Sequence, residues 1–394
     1  MKVAVVTGTR AEFGLLSGLM ALIDESSKLE LQLVVTGTHL LPEFGHTIDA
    51  ITAAGFTIAA RVLAITHANT GADVGRQVGA GTREFTDTFS SLSPGVVVLL
   101  GDRYEMLAAA IAAFFLDVPI VHIHGGEVTH GAFDDTIRHA ITKFSSVHCV
   151  AHADYAARVV QLGEQPETVH VVGALGIDQL SNTVLKTREQ LEETLGITLR
   201  DPLFLATCHP VTSGASDPQA EVSALVAALE GIPEATVILT MPNADPNHKV
   251  IVDVFRGAAD RHPGRWLFSE SLGQVNYWSV MALATAVVGN SSSGILEAPS
   301  FPVATINIGP RQRGRIFAPS VVSCLPTEAS ISSAFQRVTS KDFRDSLGAV
   351  TNPLGGPGAE NRILAVIENL PPGNLKGKVF YDQPGSQAKA DRVS

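Results

Sequence analysis

Short β-branched runs alternate with longer stretches of amphipathic spacing along most of the chain, which is the pattern of an α/β protein. In the first half KVAVVTG, LQLVVTG, GVVVLLGD, VPIVHIH, SVHCVA and VHVVGAL predict strands, with helices between them such as Phe13 to Asp24 and Tyr104 to Phe115. These runs are apolar at consecutive rather than alternate positions. Strands of that kind are covered on both faces, so the pattern predicts a parallel sheet sandwiched by helices.

The alternation pauses at a polar segment, TREQLEETLGITLRDP, and restarts with PLFLATCHP. A second series follows, ATVILTMPN, RWLFSES, AVVGNSSSG, VATINIG and SVVSCLP, with helices such as Gln219 to Leu229 and Lys249 to Arg261. The expected architecture is α/β, two Rossmann-like doubly wound domains facing a central cleft. Residues 1–185 form the first domain and 186–370 the second, with the last helix packing back on the first. The tail, 371–394, is poor in core-forming residues and is expected to be partly disordered.

Length and composition agree with this division. A chain of 394 residues is too long for one comfortable core, and 45% hydrophobic with 17% charged residues is globular composition. The longest apolar run, Met106 to Leu116, falls well short of the roughly 18 residues that suggest a membrane span. The apolar run after Lys2 is too short for a signal peptide, so a cytoplasmic protein is expected. Three scattered cysteines, Cys149, Cys208 and Cys324, indicate buried thiols rather than disulfides or a zinc ribbon. A net charge of -11 argues against nucleic-acid or anionic-membrane partners. An anionic ligand would therefore need a locally supplied cation.

Ligands of open parallel sheets bind beyond the carboxyl ends of the strands, and several suggestive clusters fall there. TGTRAEFG lacks the GxGxxG spacing of a dinucleotide fingerprint, so NAD is not expected. Its Arg10 is either a contact for phosphate or carboxylate or a surface arginine. In GNSSSGILEAP, glycines and hydroxyls lie between a strand and a short helix, an arrangement suited to phosphate, with Glu297 one turn on as an acceptor for ribose hydroxyls. A serine-rich helix cap is the ordinary alternative. Arg311, Arg313 and Arg315 follow the next strand, where they would supply the positive charge a pyrophosphate requires; a solvated loop is the ordinary alternative.

The stretch HIHGGEVTHGAFDDTIRHAITK, His122 to Lys143, carries four histidines and three carboxylates. Glu127 and Asp134 follow one strand and Asp102 ends another, so the three can converge. The ordinary alternatives are a helix cap for Asp102 and surface ion pairs for Asp134 with Arg138 and Asp135 with His139. A metal is not expected: no HExxH or comparable ligand spacing is present, and His122 at mid-strand is most simply a satisfied core histidine.

Taken together, VTGTRAEFG, VTGTHLLPEFG, LGDRYEMLAAA, HIHGGEVTHGAFDDTIRHAITK, CHPVT, GNSSSGILEAPSF and INIGPRQRGR, in that order, resemble the hydrolysing UDP-N-acetylglucosamine 2-epimerase family over roughly residues 1 to 370. The resemblance implies the GT-B arrangement of two Rossmann domains, and a reaction without a cofactor. In that reaction UDP is eliminated across C1–C2 of the sugar, and hydration of the resulting 2-acetamidoglycal leaves N-acetylmannosamine and UDP. It implies acid–base roles for Asp102 and Asp134, and for His209 either steering of the leaving phosphate or proton transfer. Arg10, Ser291, Ser292, Glu297 and Arg311 match nucleotide-binding positions, and His39, Arg103, Ser293 and Gly294 stand in the same motifs as further substrate contacts. One departure stands out: several family members read HIEGGE where this chain reads HIHGGE. Either His124 performs that glutamate's proton transfer or Glu127 does.

The HIHGGE form is associated with a branch that includes enzymes for UDP-N,N'-diacetylbacillosamine, on the route to legionaminic-type acids. UDP-N-acetylglucosamine is the expected substrate, with the modified sugar as alternative. TGTH in place of the TGQH-type motif of the non-hydrolysing enzymes favours release of free sugar. A GT-B glycosyltransferase and a non-catalytic nucleotide-sugar sensor are the competing functions, each with less need of Asp102 and Asp134. Family members are usually dimers or tetramers, so a homodimer or homotetramer is expected.

Overall fold

The computed structural model describes residues 1–42, 47–63, 70–128, 133–210, 217–242, 248–371 and 377–383. Parts of four predicted motifs, at 43–46, 129–132, 211–216 and 243, lie outside the described residues.

Two compact units result, and each contains one parallel sheet. The first unit takes residues 1–179, apart from 129–131, together with 355–394. Its strands are β1 (Lys2–Thr7), β2 (Glu30–Thr36), β3 (Ile58–Val62), β4 (Val96–Leu100), β5 (Ile120–Ile123), β6 (Val147–Val150) and β7 (Val169–Val171), in the order β3-β2-β1-β4-β5-β6-β7. The second unit, built on residues 180–354, contains β8 (Leu203–Thr207), β9 (Thr236–Thr240), β10 (Trp266–Ser269), β11 (Ala286–Gly289), β12 (Ala304–Ile308) and β13 (Val321–Cys324). Its order is β10-β9-β8-β11-β12-β13. Both orders reverse direction beside their first strand, between β1 and β4 and between β8 and β11. In such sheets ligands bind at that reversal.

The consecutive apolar residues of the strands divide between two cores in each unit, because successive side chains point to opposite faces. In the first unit Val3, Val5, Leu33 and Val35 pack with Leu16, Leu19, Met20, Ile363 and Ile367. Ala4, Val6, Val34, Val97 and Leu99 pack instead with Phe85, Phe89 and Met106. The second unit repeats the scheme, with Phe204, Ala206, Val237 and Leu239 on one face and Leu203, Leu205 and Ile238 on the other. Fully burying one such side chain stabilises by roughly 1.5–3 kcal/mol, so two-sided burial gives these strands their hold on the fold.

Two details depart from the sequence pattern. The predicted strands all form, but β3 was not anticipated, because its sequence, IAARV, is half-exposed and short. The polar segment at the expected boundary forms the helix Arg188–Leu195, closed by a capping box between Thr187 and Gln190, and belongs to the second unit; the division falls between Gln179 and Leu180. The chain re-enters the first unit at Gly355. There Asp178 accepts hydrogen bonds from the N–H groups of Gly358 and Glu360 and so caps the helix Ala359–Glu368.

Of the tail, 372–376 and 384–394 lie outside the described residues. The intervening stretch is tied down. Lys378 pairs with Glu164 at 2.6 Å and donates to main-chain carbonyls of Lys143 and Ser145, and the Tyr381 N–H donates to Gly163 O at 2.9 Å. No helix among the described residues is long and apolar enough to cross a membrane.

Candidate active site

The first unit assembles its candidate groups from the loops after β1, β2, β4 and β5. After β1, Thr9 caps the helix Arg10–Glu25, and Glu12 closes the capping box by accepting from the N–H groups of Gly8, at 2.7 Å, and Thr9, at 3.0 Å. Burial, reinforced by nearby Glu105, pushes the Glu12 carboxyl up to about 7. Arg103 grips the buried Glu105 with its Nε and Nη2 atoms, the latter at 2.9 Å from Oε1. Beside this cluster, a Cβ at Gly37 would sit 2.8 Å from the Gly8 carbonyl oxygen, and φ there is +59°, so the close approach of the two loops requires glycine. Arg10 stands exposed at the start of its helix.

His39 is buried. Its Nε2 lies 3.1 Å from Thr7 Oγ1 and its Nδ1 2.7 Å from Thr47 Oγ1. Burial pulls its pKa down to about 4, so the ring is neutral. Both ring nitrogens are engaged within the protein, where His39 ties the loop after β2 to Thr7 and Thr47.

His122 is the satisfied core histidine that the sequence suggested, and it also has a job. Its Nε2 is 2.8 Å from the Gly101 carbonyl oxygen and its Nδ1 is 3.1 Å from Thr142 Oγ1. Full burial keeps the ring neutral, with a pKa of about 3. Since a carbonyl only accepts, Nε2 carries the proton and the Thr142 hydroxyl donates to Nδ1. The bond fixes the peptide just before Asp102.

Asp102 itself is no helix cap; the helix Tyr104–Phe115 has Arg103 at its cap position. The Asp102 carboxylate instead takes a hydrogen-bonded ion pair from Arg138 Nη2, from the helix Phe133–Phe144. The expected i,i+4 partner of Arg138 was Asp134, but the buried guanidinium turns to the strand end. Burial raises the Asp102 pKa, Arg138 opposes it, and Asp134 and Glu127 add to the rise. Three carboxylates and one arginine thus act on one another electrostatically at the ends of β4 and β5. His124 joins them, its Nδ1 lying 2.6 Å from Glu127 Oε1. Asp135 and His139 do form the expected i,i+4 pair, at 3.7 Å.

In the second unit Asn290, which follows β11, organises the candidate groups. Its Oδ1 accepts from the His209 N–H at 2.7 Å, its Nδ2 donates to the His209 carbonyl at 2.8 Å, and its own carbonyl accepts from Arg311 Nη1 at 3.1 Å and Gln312 Nε2 at 2.8 Å. Burial, with Arg311 adding to the effect, lowers the His209 pKa to about 4. A neutral imidazole beside an arginine suits an anionic ligand better as a hydrogen-bond donor than as a resident cation. Gly289 has φ of +124°, and a Cβ there would fall 1.9 Å from the Thr207 carbonyl oxygen, so β8 and β11 approach through glycine.

The hydroxyls of Ser291 and Ser293 lie 3.0 Å apart, and Tyr277 holds Ser293 at 2.6 Å. Gly294 is pinned by Thr305, whose hydroxyl donates to its carbonyl at 2.7 Å. Ser292 stands at the start of the helix Ser293–Leu296, but this is a single turn of four residues, too short for a large dipole. Positive charge for an anion here comes from Arg311. Arg313 is exposed. Burial raises the Glu297 carboxyl pKa, while a hydrogen bond from Trp278 opposes the rise.

The structure therefore brings together Asp102, His124, Glu127 and Asp134 in one unit and His209, Ser291, Ser293 and Arg311 in the other. Sequence reasoning passed over Asn290, Gln312, Tyr277, Glu12, Glu105 and the pairing partner of Arg138. Asn290 lay within GNSSSG, where a polar residue ahead of the serines was the available signal. Among the described residues no group of three or more His, Cys, Asp and Glu side chains is placed to hold a metal ion.

Comparison with known proteins now bears on this arrangement. The family model for UDP-N-acetylglucosamine 2-epimerase matches residues 21–368. The GDP/UDP-N,N'-diacetylbacillosamine 2-epimerase (hydrolyzing) of Campylobacter jejuni is 35% identical over 382 residues, covering 97% of this chain and 99% of that one. The UDP-N,N'-diacetylbacillosamine 2-epimerase (hydrolyzing) of Legionella pneumophila is 33% identical, over 86% and 89% of the two chains. The solved UDP-GlcNAc 2-epimerase of Neisseria meningitidis, bound to UDP-GlcNAc, superposes with a TM-score of 0.78 at 17% identity, covering 93% of this chain and 99% of that one. The two parallel-sheet units thus have the GT-B-like fold of that structure. The chain belongs to the UDP-N-acetylglucosamine 2-epimerase family. It is an enzyme of the hydrolysing 2-epimerase kind.

Proposed function

We propose that the enzyme acts on a UDP-linked 2-acetamido sugar, with UDP-N,N'-diacetylbacillosamine as substrate and UDP-N-acetylglucosamine as the competing candidate. The names of the Campylobacter and Legionella relatives support the modified sugar. The observation that carries the catalytic reading is Asp102, lifted by burial, opposed by Arg138 and crowded by Asp134 and Glu127. A carboxyl group whose pKa burial raises at a strand end is suited to proton transfer.

In the first half of the reaction a base removes the C2 proton, its electron pair forms the C1=C2 bond, and the C1–O bond to the diphosphate breaks. Arg311, Arg10 and the serines at 291–293 are proposed to receive the diphosphate, with Glu297 on the ribose. His209, as a neutral donor, steers the leaving phosphate. In the second half water adds to C1 and a proton reaches C2 from the opposite face, so the free sugar leaves with C2 inverted. Asp102 and Asp134 are the acid and base candidates for this half, and Arg103 and Gly294 support the loops around the substrate.

Incubation with each UDP-sugar in D2O, followed by NMR, tests the reading. Free C2 epimer carrying deuterium at C2, with UDP, is the expected product. Intact substrate in both reactions, or free sugar with unchanged C2 configuration, overturns it. The better kcat/KM identifies the substrate.

A further inference from the structure

We propose that His124 is the base of the elimination step, acting through Nε2, and that Glu127 is its positioning residue rather than a second proton carrier. The inference rests on the function proposed above and divides the labour between the two groups that follow β5.

The backbone places the ring at some cost. His124 has φ of +63°, a left-handed conformation that a residue with a side chain rarely adopts. Its N–H bonds Cys149 O at 3.0 Å, which extends the ladder one residue beyond β5. The chain then reverses through Gly125 and Gly126. A Cβ at Gly126 would lie 2.3 Å from the Tyr155 carbonyl oxygen, so glycine is required, and the turn brings Glu127 back onto the ring.

The contact defines a tautomer. Glu127 Oε1 lies 2.6 Å from Nδ1, and a carboxylate accepts, so Nδ1 carries the proton. In its neutral form the ring therefore holds its lone pair on Nε2. That atom is shielded from solvent and has no hydrogen-bond partner among the described residues. A polar atom so placed is destabilising until a ligand supplies what it lacks. A lone pair lacks a proton donor, and in the elimination the C2–H of the sugar is the proton to be taken.

As the C2 proton passes to Nε2, the C–H electron pair becomes the C1=C2 bond and UDP departs with the C1–O pair. The imidazolium that forms is offset by Glu127. Glu127 orients and balances the base, the logic of a carboxylate behind a catalytic imidazole.

Ring nitrogen NMR on 15N-histidine-labelled protein, with His124→Gln to assign the signal, reads the first half of the proposal without turnover. The expected neutral ring is protonated at Nδ1, and Glu127→Gln converts it to a tautomer mixture; a ring protonated at Nε2, or one indifferent to Glu127→Gln, overturns the proposal. Kinetics read the second half. His124→Gln should lower kcat by about 100-fold or more, with UDP affinity within a few-fold and no glycal released. The double variant His124→Gln/Glu127→Gln should be no slower than His124→Gln alone. Multiplying losses would make Glu127 an independent proton carrier, and glycal release by His124→Gln would place His124 in hydration; either result sinks the proposal. If the wild type turns over neither UDP-sugar, the proposed function fails and takes the role of base with it, while the tautomer result still reports the orientation of the ring.

Discussion

Asn290 and His209 are joined by two hydrogen bonds between side chain and main chain, 2.7 Å from the His209 N–H to Oδ1 and 2.8 Å from Nδ2 to the His209 carbonyl. The loops that follow β8 and β11 thereby share one rigid joint at the reversal of the second sheet. Truncation to Asn290→Ala leaves a buried N–H and a buried carbonyl without that partner. We expect a loss of roughly 2–4 kcal/mol in urea denaturation. Turnover should fall at least about tenfold, because misplacing a positioned group by a fraction of an ångström is costly in rate. A variant with wild-type stability and rate would show that the joint is not needed.

Arg138 holds down the pKa of Asp102 against burial and against Asp134 and Glu127. In Arg138→Leu that opposition is gone, so the Asp102 pKa rises. Whether Asp102 works as acid or as base, the limb of the pH–rate profile that it sets moves to higher pH. Asp102→Asn in parallel should remove that limb and most of the turnover. A limb that stays put in Arg138→Leu would dissociate the ion pair from catalysis.

Glu12 has a folded-state pKa of about 7, raised by burial above its ordinary 4.5. The folded protein thus binds the proton more tightly than the unfolded chain. Stability from this group is complete below 4.5 and declines as pH rises to about 7, by at most about 3 kcal/mol. Glu12→Gln should flatten that decline, so its stability relative to wild type improves between pH 5 and pH 8. Urea midpoints at the two pH values check the sign.

Glu164 behaves in the opposite sense. Burial pushes its pKa up, but His148, Lys143 and Lys378 outweigh burial and hold it at about 2. Its contribution is present above the ordinary 4.5 and is lost as pH falls from there toward about 2. Lys378→Met removes one of the three donors and the tie on the tail. The expected result is a loss of about 1–3 kcal/mol at neutral pH and faster chymotryptic cleavage at Phe380 and Tyr381. Unchanged cleavage would mean that the remaining ties, the Phe380 ring against Gly163 and the main-chain bonds of Tyr381 and Val379, hold the segment without Lys378.

Much of the fold was legible because apolar runs such as VAVV, VVVLL and TVILT signal two-sided burial whatever they pack against. β3 escaped because its partly exposed IAARV carries no such signal; only pairing with β2 makes it a strand. TREQLEETLG carried a helix start in Thr187 and Gln190, and the helix forms in the second unit, where the expected bounds put it. The candidate site was legible as a set of strand-end motifs. Its wiring was not: Arg138 lies one helical turn from Asp134 in the chain and pairs with Asp102, 36 residues away.

By itself, then, the sequence determined the two parallel sheets, the loops at which chemistry gathers and the family to which they belong, since periodicity and motif order are properties of the chain alone. Only the tertiary structure decided what each polar group bonds to. His39 and His122 became neutral ties between loops because burial strips them of charge and both nitrogens find partners. His124 kept one nitrogen without a partner among the described residues, while a left-handed turn and two glycines bring Glu127 to the other. Hydrogen bonding and desolvation depend on neighbours in space, and the chain brings those neighbours together only when it folds.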